Sequence, residues 1–159
     1  MDKDYLNLLF EYKDGNLFWK NDKGKKIKRG QKLGSMSSCG YIVTKIDYKS
    51  YSVHRLIFLY HYGYMPKFID HIDCDKKNNK IENLRECTIQ ENSYNTKKPK
   101  SNSSGIKGVH WCNTHKKWIA KCRNNGERIC FGYFSNIKDA ENVIKKHRKL
   151  IHKEFCNDG

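Results

Sequence analysis

Residues 69–92 read IDHIDCDKKNNKIENLRECTIQEN and contain the residue types on which the chemistry of this chain depends. Four of them have side chains suited to metal-assisted chemistry: Asp70, His71, Asn83 and Asn92. The first part of the stretch is typical of a short strand, and its last part predicts a helix. An acid, an imidazole and two amides brought together can hold one hard divalent cation beside one general base. That is the minimum equipment for metal-assisted phosphodiester hydrolysis.

The chain is strongly basic along its whole length. It has 159 residues and a formal net charge of +15, of which residues 1–98 contribute +7 and residues 99–159 contribute +8. A large positive charge favours polyanionic partners, and nucleic acid is the expected one. Two basic parts in tandem indicate a catalytic module followed by a module that anchors it.

The composition argues against several other classes of protein. No apolar run reaches the roughly 18–20 residues that a transmembrane helix needs, so no membrane partner is expected. The N-terminal stretch is short on apolar length and carries acids, unlike a signal peptide. The seven cysteines are odd in number and contain no CxxC pair, which is typical of reduced thiols rather than of a zinc knuckle or a secreted disulfide framework. An intracellular, non-secreted protein is therefore expected.

The first 63 residues are predicted to form two hairpins and one helix. Asp14-Gly15 is a turn dipeptide between two aromatic-rich runs. Residues 40–46 and 50–53 predict the second hairpin. Residues 54–63, HRLIFLYHYG, suit a short buried helix that ends at a glycine.

A β-β-α unit is predicted within about residues 68–96. Its strands are expected at residues 68–72 and 84–87, joined by a loop rich in lysine and asparagine. Thr88 and Glu91 have the capping-box spacing, so the helix is expected to begin at Thr88. This places Asn92 about one turn inside the helix, where its side chain can face the strands.

A linker and a second sheet are predicted after this unit. Residues 97–105, KKPKSNSSG, combine charge, proline, serine and glycine. Three strands and a covering helix then follow, at residues 106–111, 117–123, 128–134 and about 137–154. Strand alternation predicts one apolar sheet face and one cationic face. The residues expected on the apolar face of the last two strands are Trp118, Ala120, Cys122, Ile129, Phe131 and Tyr133.

Residues from about 51 to 96 resemble the HNH homing-endonuclease domain of phage and mobile-intron nucleases. The matching text is VHRLI and then IDHIDCDKKNNKIENLRECTIQEN. In the variant resembled here, the final histidine of the family name is an asparagine, which is Asn92 in this chain. The resemblance implies a DNA endonuclease that uses a divalent metal.

Residues 105–155 resemble the AP2 DNA-binding domain through SGIKGVHW, KWIAKCR, RICFGYF and the helix that follows. The two resemblances together imply an α+β fold: a ββα-metal HNH nuclease domain, then a small three-stranded antiparallel sheet plus one helix. The expected domains are residues 1–98 for the N-terminal hairpins and nuclease, 99–104 for the linker and 105–156 for the AP2-like part. Double-stranded DNA is the expected partner.

The four site residues are expected to have distinct roles. His71 is the candidate general base, because a histidine ordinarily titrates near pH 6.5 and can accept a proton from water at neutral pH. Asp70 and Asn92 are the candidate oxygen ligands of one Mg²⁺ or Mn²⁺ ion. By its resemblance to the family, Asn83 is expected to fix the loop that follows His71.

Further residues are predicted to contact DNA or to compete for the metal. Asp73 and Asp75 rank below Asp70 as ligands because they lie in the loop. For Arg55, at the start of the short helix, both a phosphate contact and a structural ion pair are open. The side chains expected on the DNA face of the second sheet are Lys107, His110, Lys121, Arg123 and Arg128.

The leading interpretation is a divalent-metal DNA endonuclease of the homing or free-standing phage type, acting as a monomer with no protein partner implied. The first alternative is a non-catalytic, sequence-specific DNA-binding regulator on a degenerate nuclease scaffold. The second is an RNA-binding accessory protein, which the basic charge permits and the HNH resemblance disfavours. The presence of all four site residues favours the enzyme.

Overall fold

The computed structural model describes residues 1–159 and combines helices with antiparallel sheets, as expected for an α+β fold. The chain divides into two compact units, Met1–Cys87 and Thr88–Gly159. This division differs from the predicted boundary at residue 98. Residues 88–98 belong to the second unit because they pack on its C-terminal part. The Tyr94 ring, for example, stacks on the His152 ring with 3.8 Å between centroids. The assignment of whole domains remains a prediction.

The first unit contains two helices and three small sheets. Its elements are α1 (Lys3–Leu9), β1 (Phe10–Lys13), β2 (Asn16–Trp19), β3 (Ser35–Met36), β4 (Ile42–Ile46), β5 (Lys49–Ser52), α2 (Val53–Tyr62), β6 (Phe68–His71) and β7 (Leu84–Cys87). A 3₁₀ turn at Ile81–Asn83 precedes β7. None of the helices in the chain combines the length and the apolar composition needed to cross a bilayer.

Both predicted N-terminal hairpins are confirmed. β1 pairs antiparallel with β2, and Asp14 and Gly15 between them have φ values of 46° and 74°. β4 pairs with β5 across Asp47 and Tyr48, whose φ values are also positive. Positive φ at both central residues is the geometry of a type I′ turn, which matches the twist of the strands. Helix α1 was not predicted. Its N-cap is Asp2, whose side chain accepts from the Tyr5 amide at 2.9 Å.

Helix α2 fills the centre of the first unit. It ends at Gly63, which has a φ of 80° and donates its amide to the Leu59 carbonyl at 2.9 Å, a left-handed cap that glycine adopts without strain. The apolar side chains buried around it are Leu6, Phe10, Leu17, Trp19, Leu33, Ile42, Ile46, Val53, Leu56, Ile57, Phe58, Leu59 and Leu84. This core fixes the face of α2 from which His54 extends toward β6.

The second unit is a three-stranded antiparallel sheet covered by one long helix. Its elements are α3 (Ile89–Tyr94), β8 (Val109–Cys112), β9 (Lys117–Asn124), β10 (Glu127–Phe134), α4 (Ile137–His152) and a 3₁₀ turn (Lys153–Phe155). β9 is the central strand. The capping box predicted at Thr88 and Glu91 is present, with both of its hydrogen bonds formed. The apolar core of this unit contains Val109, Ala120, Ala140 and Ile144.

A β-bulge in β10 changes which side chains share a sheet face. The register shifts between Cys130 and Gly132, so that Tyr133 pairs with Ile119. Directly paired residues lie on the same face, which places Tyr133 on the cationic face. The prediction that Tyr133 lies on the apolar face is therefore wrong. Its side chain is 44% exposed.

Helix α4 buries a charged residue that the apolar periodicity did not indicate. Arg148 is 2% exposed, and its guanidinium donates to the Asp158 carboxylate at 2.6 Å and to the Asn157 carbonyl at 2.7 Å. A buried arginine is tolerated when its donors are paired in this way. It ties the last residues of the chain to the helix.

Candidate active site

The β6–β7 hairpin carries the two central site residues. Asp70 and His71 are consecutive on β6, so their side chains leave opposite faces of the strand. In the register, Asp70 lies directly opposite Arg85 and His71 opposite Leu84. Asp70 is 4% exposed and His71 is 5% exposed.

Arg85 holds the Asp70 carboxylate. Its Nε lies 2.9 Å and its Nη2 lies 2.7 Å from Asp70 Oδ2. The ion pair offsets the cost of burying the carboxylate charge. A carboxylate has about four lone-pair sites on two oxygens, so it can bind a cation in addition to accepting from an arginine. The sequence analysis did not identify Arg85, although its place opposite Asp70 follows from pairing the two strands.

The fit of a divalent ion follows from the chemistry of these donors. No cluster of three or more His, Cys, Asp or Glu side chains suited to a metal ion is present. Mg²⁺ does not require one, because it is usually held by one or two carboxylates together with water and substrate phosphate. The carboxylate of Asp70 and the amide oxygen of Asn92 are hard donors of this kind.

The imidazole of His71 is held on several sides. Its Nε2 lies 3.0 Å from Asn79 Oδ1. The His54 ring lies edge-on to it with 5.1 Å between centroids, and the Tyr41 ring lies at 6.1 Å. These groups pack around the buried ring. Asn79 and His54 were not predicted to act here, because a contact between distant residues leaves no periodic signal in the sequence.

Asn83 orders the loop that follows His71. Its Oδ1 accepts from the Asp73 amide at 3.1 Å, and its Nδ2 donates to Asp73 Oδ1 at 2.9 Å and to the Asn78 carbonyl at 2.8 Å. Its own carbonyl accepts from the Ile72 amide at 2.9 Å. One side chain and one carbonyl therefore close the loop between the two strands.

The two other acids of the loop stabilise the loop itself. Asp73 accepts from the Asp75 amide at 2.8 Å and from Asn78 Nδ2 at 2.7 Å, while Asp75 accepts from the Lys77 amide at 3.0 Å. Burial raises the pKa of Asp73, but these hydrogen bonds, the one from Asn83 and the nearby His71 together lower it below its usual value. The ranking of Asp73 and Asp75 below Asp70 as metal ligands remains a prediction.

Asn92 lies on α3, in the second unit, and its side chain is exposed. Its amide donates to the Thr88 carbonyl at 3.0 Å, within the helix. The chain order β6, β7, α3 is that of the predicted β-β-α unit. Joint ligation of one ion by Asp70 and Asn92 remains a prediction.

Arg55 supports the approach to β6. Its Nη2 donates to the Pro66 carbonyl at 2.8 Å and its Nη1 to the Lys67 carbonyl at 3.3 Å. These donors are used on the backbone of the chain itself. These hydrogen bonds account for the position of the Arg55 side chain, so neither an ion pair nor a bound phosphate is needed to explain it. A contact of Arg55 with DNA remains a prediction.

The other residues predicted to contact DNA lie in the second unit, and most of them share one sheet face. Arg123 pairs with Arg128, and both are exposed. On the same face, Lys121 pairs with Cys130, and His110 pairs with Ile119. Burial and the nearby Lys121 lower the pKa of His110.

Lys107 does not belong to this surface. Its ammonium donates to the carbonyls of Tyr94, Thr96 and Asn157. An ammonium has three donors, and three backbone carbonyls accept them. The side chain joins segments of the second unit, and a contact of Lys107 with DNA remains a prediction.

Three comparisons with known proteins bear on this arrangement. Residues 51–94 match the family model described as HNH endonuclease. Protein 3.8 of Escherichia phage T7 is 34% identical over 96 residues, which cover 59% of this chain and 78% of Protein 3.8. This chain belongs to the family of Protein 3.8, and its residues 51–94 are an HNH endonuclease domain. A second relative, the uncharacterized HNH endonuclease L560 of Acanthamoeba polyphaga mimivirus, is 42% identical over 77 residues, which cover 46% of this chain and 38% of that protein. No solved structure matches significantly.

The HNH domain contains Asp70, His71, Asn83 and Asn92 and begins just before α2. The β1–β2 hairpin and the three-stranded sheet of β8, β9 and β10 lie outside it. The family match supports nuclease activity for residues 51–94 and leaves the role of the C-terminal sheet as a prediction.

Burial of His54 makes the free energy of unfolding depend on pH. Burial, then His71 and Arg55, lower the pKa of His54 from 6.5 to about 3. Between these values the unfolded chain binds a proton that the folded chain does not. The contribution of neutral His54 to the stability of the fold is therefore fully present above pH 6.5 and is lost as the pH is lowered toward 3. We expect His54 to account for a loss of about 2 kcal/mol in the free energy of unfolding between pH 7.5 and pH 5.

Urea unfolding of the wild type and of His54→Phe at these two pH values tests this expectation. Phenylalanine keeps an aromatic ring against Tyr41, removes the titrating group and removes a buried Nδ1 that has no hydrogen-bond partner. The variant should lose less stability on acidification than the wild type. Equal losses in the two proteins would show that His54 is not buried in its neutral form.

Proposed function

We propose that this chain is a divalent-metal-dependent endonuclease that hydrolyses phosphodiester bonds of double-stranded DNA, with His71 as the general base. The observation that carries the proposal is the ordering of His71 inside the HNH domain. Its ring is bound at Nε2 by Asn79, and the loop after it is closed by Asn83. A general base needs such a fixed orientation to accept a proton from a positioned water.

The reaction proposed for His71 is a hydrolysis. The attacking water gives a proton to the imidazole, and its oxygen forms a bond to phosphorus. The bond between phosphorus and the 3′ oxygen breaks, its electron pair goes to that oxygen, and the oxygen takes a proton from solvent to become a hydroxyl. The imidazolium then returns its proton to solvent, which restores the base.

Asp70 and Asn92 are proposed to hold one Mg²⁺ or Mn²⁺ ion. Their carboxylate and amide oxygens are the ligands that these hard cations prefer. When bound, the ion offsets negative charge on the phosphate and on the leaving oxygen. Arg85 keeps the Asp70 carboxylate in one orientation on β6.

The chemistry of the product ends tests the proposed reaction. Hydrolysis with a 3′-oxygen leaving group yields 5′-phosphate and 3′-hydroxyl ends. A DNA ligase should therefore reseal nicks that the wild-type protein makes in plasmid DNA. Nicks that ligase accepts only after treatment with a kinase and a phosphatase would contradict the assigned leaving group.

We propose that the C-terminal sheet is an AP2-like DNA-binding domain that anchors the nuclease. Support comes from the shared face of Lys121, Arg123 and Arg128 and from the helix that covers the other face. Strands can enter the major groove of duplex DNA, where the cations would contact phosphates and base edges. The bulge adds Tyr133 to this face.

Arg123→Ala and Arg128→Ala should each weaken duplex binding without unfolding the protein, because both side chains are exposed. Each lost phosphate contact should make the slope of log affinity against log salt shallower by about 0.9. Fluorescence anisotropy over a series of salt concentrations measures both effects. Lys146→Ala, which removes an exposed charge from α4 on the opposite side of the sheet, is the matched control. Equal slopes in all four proteins would exclude the sheet as the anchor.

The relatives support a phage or viral type of enzyme that acts inside the host cell. Protein 3.8 is a phage protein, and the second relative is a protein of a giant virus. A homing or free-standing endonuclease that works as a monomer is the form we propose. Wild-type protein that binds duplex DNA and cuts it under no metal condition would instead favour the DNA-binding regulator.

A further inference from the structure

The loop that follows β2 accounts for all of the net positive charge of the first unit. Residues 20–32, which we call the basic loop, contain seven lysines and arginines and one acid, a net charge of +6. Residues 1–87 as a whole contain 17 lysines and arginines and 11 acids, which is also a net charge of +6. The rest of the unit is therefore neutral overall. Charge of one sign that is confined to one segment creates a local potential that attracts a polyanion.

The basic loop is folded on itself. The Asp22 carboxylate accepts from the Arg29 amide at 2.8 Å and from the Lys28 ammonium at 2.9 Å. The Lys23 amide donates to the Ile27 carbonyl at 3.0 Å, which closes the tip of the loop. The single acid of the segment thus joins its two sides.

The base of the basic loop is attached to the core of the first unit. The Gly30 amide donates to the Trp19 carbonyl at 2.7 Å, at the end of β2. The Lys23 ammonium lies 3.1 Å from the Asp47 carboxylate and 5.4 Å from the centroid of the Trp19 ring. Leu33, directly after the loop, is buried in the core. The tip is therefore supported by ordered structure at its base.

The cations of the basic loop divide into two groups. Three of them bind groups of the chain itself: Lys20, Lys23 and Lys28. The other four are exposed and form no ion pair within the chain: Lys25, Lys26, Arg29 and Lys32. Because these four have no ion pair to give up, they can bind the phosphate oxygens of a nucleic acid without loss of an interaction inside the protein.

Strand β2 separates the basic loop from the hairpin that carries the proposed site. At the start of β2, a Cβ atom at Gly15 would lie 2.6 Å from the Lys80 nitrogen, so this turn packs against the loop between β6 and β7. At the other end, Trp19 leads into the basic loop. Four residues of strand span about 13 Å. Neighbouring phosphates of one DNA strand are about 3.4 Å apart along the helix axis. A duplex that reached both places would therefore contact them with different phosphates.

We propose that the basic loop is a DNA-binding surface of the first unit that holds the phosphate backbone of a duplex away from the bond that is cut. The side chains that carry the contact are Lys25, Lys26, Arg29 and Lys32. Phosphate contacts add affinity and fix the position of the protein on DNA without reading the sequence. The position relative to the cut rests on the proposed function, whereas the binding itself can be measured without cleavage.

Fluorescence anisotropy with a labelled duplex tests the proposal, in EDTA and over a series of salt concentrations, with the full-length protein. The double variant Lys25→Gln/Lys26→Gln should make the slope of log affinity against log salt shallower by about 1.8, which is about 0.9 for each contact. At 0.1 M salt its affinity should fall by roughly 10- to 60-fold. Lys25→Arg/Lys26→Arg keeps both charges and should keep the slope and the affinity of the wild type.

The matched control is Lys45→Gln/Lys49→Gln, which removes the same charge from two exposed positions of the β4–β5 hairpin in the same unit. It should bind with the slope of the wild type. The proposal is overturned if Lys25→Gln/Lys26→Gln keeps that slope, or if the control loses as much, since net charge alone would then explain the effect. It is also overturned if the loop variant loses affinity for a single-stranded RNA of the same length but not for the duplex.

Cleavage provides a second readout. Lys25→Gln/Lys26→Gln should raise KM for duplex DNA with little change in kcat, because the lost contacts are made equally before and during the reaction. A lower kcat with an unchanged KM would overturn the separation between the basic loop and the cut phosphate. An inactive wild type whose salt slope still depends on Lys25 and Lys26 would overturn the proposed nuclease function and leave the DNA-binding role of the basic loop intact.

Discussion

His71→Ala is expected to lower the rate of DNA cleavage by roughly 10²- to 10⁴-fold, the range that a general base contributes. DNA affinity should stay near that of the wild type, because it rests on many phosphate contacts while His71 serves one bond. The rate is measured on a labelled duplex under single-turnover conditions in Mg²⁺. Affinity is measured on the same duplex in EDTA.

The matched control is His61→Ala, a histidine of α2 in the same unit that contacts Tyr12 rather than the proposed site. It should cut at nearly the wild-type rate. Because His71 is buried, His71→Gln serves as a second variant that keeps more of the side-chain volume. Wild-type cleavage by a folded His71 variant would remove His71 from the role of base.

Asn92→Ala is expected to abolish cleavage at Mg²⁺ concentrations that saturate the wild type. The physical reason is that an ion held by few protein ligands loses much of its binding energy with any one of them. The helix itself should persist, because its capping box is made by Thr88 and Glu91 and the Asn92 side chain is exposed. The measurement is a titration of the cleavage rate with Mg²⁺ and with Mn²⁺.

Ser93→Ala, at the next exposed position of α3, is the control for that titration and should follow the wild type. Duplex affinity in EDTA should be equal in all three proteins. If Asn92→Ala needed no more metal than the wild type for the same rate, Asn92 would not be a ligand.

The strands and turns were predictable because their signals are local. Asp14-Gly15 and Asn125-Gly126 both have positive φ at the two central turn residues, which few other residue pairs adopt without strain. The capping box at Thr88 depends on residues only three positions apart. The two strand patterns on either side of the lysine- and asparagine-rich loop predicted one hairpin. That prediction placed Asp70, His71 and Asn83 together.

The remaining features depend on contacts between distant residues. A bulge inserts one residue into β10 and moves Tyr133 to the other face, and strict alternation does not predict it. Lys107 turns toward three carbonyls contributed by two other segments of the second unit. Asn79 Oδ1 lies 3.0 Å from His71 Nε2, in a loop whose backbone packs against the β1–β2 turn. No local pattern in the sequence indicates the bulge, the position of the Lys107 side chain or the contact between Asn79 and His71.

The central claim is that the HNH domain performs metal-dependent hydrolysis of DNA, and nicking of supercoiled plasmid tests it most directly. Purified full-length wild type is incubated with plasmid in Mg²⁺, in Mn²⁺ and in EDTA, and the products are separated on an agarose gel. We predict relaxed or linear DNA with at least one of the two ions and only supercoiled DNA in EDTA. Plasmid that stays supercoiled with both ions although the protein binds it, or that is cut equally in EDTA, would contradict the claim.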